Sequence, residues 1–139
     1  MKRLFILILA TAGLIPGVMT QHDLQIVISQ IEKPEGEVGI WLYRNEESYM
    51  VRTKSQDHLW VPVKQKTVTA TFPNLPQGEY AIVIIQDLNG NKNLDTNFIG
   101  LPKEPYGFSN NPSTTFGPPS FQGAKFSITE NMKIEIRFK

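Results

Sequence analysis

Oxygen-bearing side chains stand at every second position of the stretch DLNGNKNLD: Asp87, Asn89, Asn91, Asn93 and Asp95. Counted from Asp87 they occupy the alternate positions from which an EF-hand loop feeds oxygens to calcium. Short carboxamide and carboxylate arms are what a tight loop can bring together, and calcium wants about six to eight oxygens. The stretch departs from an EF-hand in three ways. Lys92 stands where the sharp turn needs glycine, Phe98 stands where the bidentate Glu belongs, and no helices flank the loop. A calcium site built on Asp87, Asn89, Asn91 and Asp95 therefore needs Glu104 or backbone carbonyls to complete its shell. Its expected dissociation constant is about 10⁻⁴ to 10⁻³ M, as in extracellular modules. The same residues also describe a turn that closes on itself. Asn89-Gly90 is a hairpin signal, and Asn and Asp side chains bond backbone groups two residues on. Both readings are open on the sequence alone.

The segment that follows, from Thr96 to Gln122, has little strand signal and carries Pro102, Pro105, Pro112, Pro118 and Pro119. Loops this long inside a small domain are uncommon and are often functional. Its aromatics, Phe98, Tyr106, Phe108, Phe116 and Phe121, are expected to pin it across a sheet face, since each stabilises by roughly 1.5 to 3 kcal/mol when fully buried. A sharper reading has Tyr106, Phe108, Ser109 and Asn110 lining a ligand groove beside the Asp/Asn turn. Trp41, Trp60 and Tyr43 offer stacking surfaces for a glycan where they are exposed.

Catalytic sets are poorly represented. There is no cysteine, no HExxH and no Gly-x-Ser-x-Gly, so no nucleophile and base pair is identifiable. His58 adjoins Asp57, but neighbours on a strand point to opposite faces. Asp87 and Asp95 are the one carboxylate pair that a small periplasmic hydrolase could use for glycoside cleavage. That is the alternative to a non-enzymatic reading.

The elements that must position these residues are strands. Leu24, Ile26 and Ile28 alternate with polar neighbours, as do Val68, Ala70 and Phe72, and Met132, Ile134, Ile136 and Phe138. A period of two describes half-buried antiparallel strands with one wet face. Val38, Ile40 and Leu42 share one face of EVGIWLY, with Trp41 and Tyr43 on the other. EYAIVIIQ is apolar on both faces and reads as a central strand. HLWVPV, with Pro62, reads as an edge strand, and AKFSIT is a further candidate. The polar stretch 44–57 is expected to be a long hairpin loop or a short helical turn. Between Phe72 and Tyr80, Pro73, Pro76 and Gly78 predict a reversal or a change of sheet. The sum is an all-β, seven-stranded antiparallel β-sandwich with a transthyretin-like or Ig-like outline.

With 139 residues the chain supports one domain. Lys2 and Arg3 precede the apolar run LFILILATAGLIPGVM, which is broken by Pro16 and Gly17. This is the pattern of a secretory signal peptide and is shorter than a membrane span of about 20 residues. Residues 1–20 are expected to be the leader and 21–139 the single sandwich domain, exported to the periplasm or medium. No stable membrane insertion is expected after cleavage. The formal net charge of +1 includes Lys2 and Arg3, so the mature chain carries no basic field for nucleic acid. Without cysteine there is neither a disulfide nor the lipid attachment site of a bacterial lipoprotein.

LPQGEYAIVIIQDLNGNKNLDTNFIGLPKEPYGFSNN resembles the bacterial DUF2141 family, small exported proteins without an assigned activity. Asp87, Asn89, Gly90, Asn91 and Asp95 match that family's turn. Gly100, Pro102, Glu104, Tyr106, Gly107, Phe108 and Ser109 match the phrase that follows it. Lys92 stands where the family pattern usually has glycine. The resemblance implies a sandwich domain outside the cytoplasm. Together these readings give a non-enzymatic binding or structural module, whose partner would be an envelope protein, a glycan or a small ligand.

Overall fold

The alternating segments form the strands expected of them. β1 (Gln21–Ser29), β4 (Val68–Pro76) and β8 (Met132–Arg137) make a three-stranded sheet in the order β4-β1-β8. β2 (Glu37–Tyr43), β3 (Asp57–Pro62), β5 (Gly78–Asp87) and β6 (Tyr106–Phe108) make the other sheet in the order β3-β2-β5-β6, with β7 (Phe126–Ile128) also on β5. The computed structural model describes residue 17 and residues 19–139, and nearly all of the expected leader lies outside these described residues.

The two sheets face each other across a core of Leu24, Ile26 and Ile28 from one side and Val38, Ile40, Leu42, Ile82 and Ile84 from the other. Val68, Ala70, Phe72, Ile136 and Phe138 add to it, each on the inward face that its alternation predicts, and Met132 and Ile134 are half-buried against it. Non-directional burial of these side chains is the main stabilising contribution in a fold without disulfides.

Three features differ from the sequence expectation. Among the described residues there are eight strands rather than seven, because the three-residue β6 forms inside the segment read as loop. The sandwich is not wholly antiparallel, since β1 and β8 pair in parallel, Leu24 opposite Met132 through Ser29 opposite Arg137. The third concerns the outer face of the larger sheet, which is not wet. Trp41, Tyr43 and Ile85 are buried there, with Ala81 and Phe108 in a neighbouring patch. Of the stretch 44–57, residues 44–56 fold as a loop containing a 3-10 turn, Arg52–Lys54, and bring Tyr49 onto this face, while Asp57 opens β3. The short helix α1 (Phe121–Ala124) adds Phe121. Tyr49 meets the rings of Tyr43 and Phe121 edge-on at 5.6 and 5.8 Å. This second core explains why β5 is apolar on both faces.

The chain changes sheet between β4 and β5, as the Pro/Gly phrase predicts. Asn74 takes a φ of 57°, and the buried Tyr80 donates its hydroxyl back to the Pro76 carbonyl at 2.7 Å. Arg44 lies over the Tyr80 ring at 5.0 Å. Tyr80→Phe removes that bond from a part-buried carbonyl. It is expected to lower unfolding free energy by about 1 to 2 kcal/mol in urea denaturation.

Burial also sets an alkaline limit. It pushes the Tyr43 phenol up to about 12 against the opposing charge of Arg52. Burial and the neighbouring Tyr43 push Tyr49 up as well, and burial raises Tyr80. The unfolded chain ionises these groups near pH 10, so it holds fewer protons than the native state above that pH. Stability is expected to be full below about pH 10 and to fall towards pH 12. Denaturant midpoints measured across this window check it, and a flat profile would contradict it.

Candidate binding site at the loop end

β5 ends at Asp87, and the chain enters the Asp/Asn turn at once. Asp87 is 1% exposed. One of its carboxylate oxygens accepts Gly90 N–H and the other Lys92 N–H, both at 2.8 Å. Asn89 Oδ1 accepts Asn91 N–H at 3.1 Å, and Asn91 Oδ1 accepts Asn93 N–H at 2.8 Å. These bonds fix the amide orientations and turn both nitrogens towards Asp95. Asn91 Nδ2 donates to it at 2.9 Å, and Asn89 Nδ2 donates to its other oxygen.

Glu104, 7% exposed, does not join an ion shell. Its two oxygens accept Leu88 N–H at 2.8 Å and Asp95 N–H at 3.0 Å, clasping both ends of the turn. Arg52 reaches across from the 3-10 turn to the Lys92 carbonyl at 2.6 Å and to Asn93 Oδ1 at 3.2 Å. Lys92 takes the left-handed conformation at φ 60°. It pairs with Glu37 and lies over the Trp60 ring at 4.2 Å.

The expected calcium ligands Asp87, Asn89, Asn91 and Asp95 are thus brought together, but as a self-closed turn. Two of the expected donors present nitrogen, which cannot ligate a cation, to a third. Position twelve is the fully exposed Phe98. The donor set does not fit an ion held in the EF-hand manner. Among the described residues no group of three or more His, Cys, Asp or Glu side chains is placed to hold a metal. Both carboxylates of the hydrolase pair, Asp87 and Asp95, accept bonds from within the turn.

Beyond Asp95 the chain forms a small hairpin. Lys103 N–H donates to the Asp95 carbonyl and Asn97 N–H to that of Leu101, each at 2.8 Å, and Thr96 bridges Pro102. Asn97 Oδ1 holds the tip by accepting Ile99 and Leu101 N–H at 3.1 and 2.9 Å. The chain then returns along β5 as β6, Tyr106 opposite Ile85 and Phe108 opposite Val83.

Of the four expected groove residues, Tyr106 and Phe108 do line a cavity. It has a volume of about 380 Å³ and lies between the 94–102 hairpin and the 114–118 loop. Ser109 does not line it. It is fully buried, accepting Ile82 N–H at 2.9 Å and donating to the Ala124 carbonyl at 2.5 Å. Asn110 is also elsewhere, donating to the Lys125 carbonyl at 2.7 Å. Leu94, Leu101, Thr114 and Pro118 contribute walls that the sequence pattern does not single out. Only their place in a turn-rich run with few charges could have signalled them.

A second hollow, of about 530 Å³, lies beside Trp41, Trp60, His58 and Asn93. The indoles meet edge-on at 5.3 Å, and Arg52 covers the Trp41 ring at 4.3 Å. Trp41 and Tyr43 are core residues. The glycan-stacking expectation therefore reduces to the half-buried Trp60, which already carries the Lys92 ammonium. A larger hollow near Gln30, Glu32, Lys66 and Lys139 is edged by charged side chains.

The family model described as "Uncharacterized protein conserved in bacteria (DUF2141)" matches residues 26–136. The chain belongs to the DUF2141 family. The match runs from Ile26 in β1 to Ile136 in β8 and so spans the DUF2141 sandwich together with the Asp/Asn turn and the loop-end cavity. The comparisons with curated proteins and with solved structures found no match.

Proposed function

We propose that this DUF2141 domain is an exported, non-enzymatic binding module that takes an uncharged, largely apolar group into the loop-end cavity. The observation that carries the reading is the cavity itself. Its volume of about 380 Å³ is within the range of small-ligand sites, and among the described residues no charged side chain lines it. Leu94, Leu101, Pro102 and Phe108 give it apolar walls, while Thr114, Thr115 and the Tyr106 hydroxyl are the groups that orient a ligand. Its rims are held by backbone and Asn97 bonds, so little ordering opposes binding. Export rests on the basic and apolar N-terminal pattern. A hydrolase reading gains no support from Asp87 and Asp95, whose oxygens are engaged in closing the turn.

The test is a titration with Nile red, a neutral apolar fluorophore, against the wild type and Thr115→Trp, which places an indole in the cavity. Saturable emission enhancement that drops at least about tenfold in affinity in the variant is expected, with the melting temperature unchanged. No saturable binding, or equal binding by both proteins, would contradict the reading.

A further inference from the structure

Three loops meet at the cavity mouth, and they carry an unusual surface. Apart from Met19, the exposed large apolar side chains among the described residues are Met50, Val51, Phe98, Ile99, Leu101 and Phe116. Met50 and Leu101 line the cavity. Phe98 and Ile99 crown the Asn97–Leu101 turn, and Phe116 lies within the Thr114–Gly117 turn, closed by Gly117 N–H on the Thr114 carbonyl at 3.1 Å. Phe98 and Phe116 are as open to water as in an extended chain. Exposed apolar clusters of this kind mark interaction surfaces, and scattered single residues do not.

We propose that these tips dock the domain peripherally and reversibly on a phospholipid surface with anionic headgroups. The proposal rests on reading the loop end as the binding end, but not on occupancy of the cavity. Charge is the first argument. Between Leu94 and Ala124 the charged side chains are Asp95, whose carboxylate is taken up by Asn89 and Asn91, Lys103, which is exposed, and Glu104, which is turned inward onto backbone N–H groups. Lys54, exposed on the neighbouring loop, and Arg52 add further positive charge, while Glu46 and Glu47 are the acids of that loop. Apolar tips on loops that also carry the exposed Lys54 and Lys103 suit insertion between acyl chains with cations at headgroup level.

Shape is the second argument. Two separate, fully exposed phenylalanines on turns braced by their own bonds need a matching concavity in a protein partner. A lipid interface accepts protruding side chains without one. No helix among the described residues is long and apolar enough to cross a membrane.

The full-length chain is expressed, and its purified product is mixed with vesicles of phosphatidylcholine alone or with added phosphatidylglycerol, then floated on a gradient. Wild type is expected to float with the anionic vesicles more than with the neutral ones and to be released by salt. Phe98→Ser/Phe116→Ser is expected to weaken this at least about tenfold with an unchanged melting temperature, since both rings are solvated. Thr115→Trp is expected to leave it in place, so the docking stands even where the cavity binds no probe. Failure of wild type to float with either vesicle would overturn the proposal. So would equal flotation of the double variant, which points to the N-terminal segment. A wild-type dimer in sedimentation that the double variant abolishes, without vesicle binding, would overturn it too and assign the tips to a second copy of the chain.

Discussion

Asp87→Ala is expected to destabilise the domain by about 3 kcal/mol, among the largest effects of any polar substitution in it. The carboxylate is buried at the end of the central strand and satisfies Gly90 and Lys92 N–H with one oxygen each. Truncation leaves two backbone donors without their acceptor, and bonds to a charged acceptor are worth about 1.5 to 3 kcal/mol each before water re-enters at the exposed side of the turn. Asp87→Asn is expected to lose about half as much, because one oxygen remains to accept while its new NH₂ faces the other N–H. Asp95→Ala is expected to cost less than about 1 kcal/mol, since its side-chain donors, Asn89 and Asn91, are exposed and can turn to water. Urea denaturation of the three variants checks the ranking. On the same grounds, replacing EDTA with about 10 mM calcium is expected to leave the melting temperature unchanged. A structural ion with a dissociation constant near 10⁻⁴ M would instead add about 2.7 kcal/mol. Equal losses for Asp87→Ala and Asp95→Ala, together with a calcium-dependent rise, would mean that the two carboxylates act on an ion.

Gly36→Ala is the second large effect, again about 3 kcal/mol or outright failure to fold. Gly36 adopts φ +71°, and a Cβ there would lie 2.1 Å from the Asp87 carbonyl oxygen. Neither atom can yield easily. The Gly36 carbonyl accepts Val63 N–H at 3.0 Å, and the connection before it is held by Gln86, whose side chain donates to the Lys33 and Glu35 carbonyls at 2.7 and 2.9 Å. Asp87 is the root of the turn. Gly90→Ala provides the control. It has a similar φ of +79° but open space where a Cβ would stand, so only the left-handed backbone cost of about 1 kcal/mol is expected. The difference between the two variants measures the close approach that fixes the turn against the β1–β2 connection. Equal losses would show that backbone conformation alone governs both sites.

Much of the sandwich was legible because alternation is a local property. Leu24, Ile26, Ile28, Val68, Ala70 and Phe72 are inward where a period of two puts them, and Pro62 ends an edge strand. The parallel pairing of β1 with β8 was not legible, since it joins segments far apart in the chain and leaves no local mark. The covered outer face was only half legible. Trp41, Tyr43 and Val83 announce an apolar surface, but its cover comes from Tyr49, Leu94 and Phe121, in segments with no period. The aromatics after the turn show the limit most directly. Tyr106 and Phe108 lie two apart on a strand and pack onto β5, whereas Phe98 and Phe116 crown turns and face water. Composition does not distinguish these environments. The same holds for Glu104, whose carboxylate faces backbone N–H groups because the hairpin returns it beneath the turn.

The most direct test of the loop-end site is an amide chemical-shift titration of the ¹⁵N-labelled protein with indole, a small neutral aromatic. Shifts are expected to concentrate on 94–102, 106–108 and 114–118 and to vanish in Thr115→Trp. Shifts centred on the Trp41–Trp60 face, or none at millimolar indole, would contradict a binding site at this end of the sandwich.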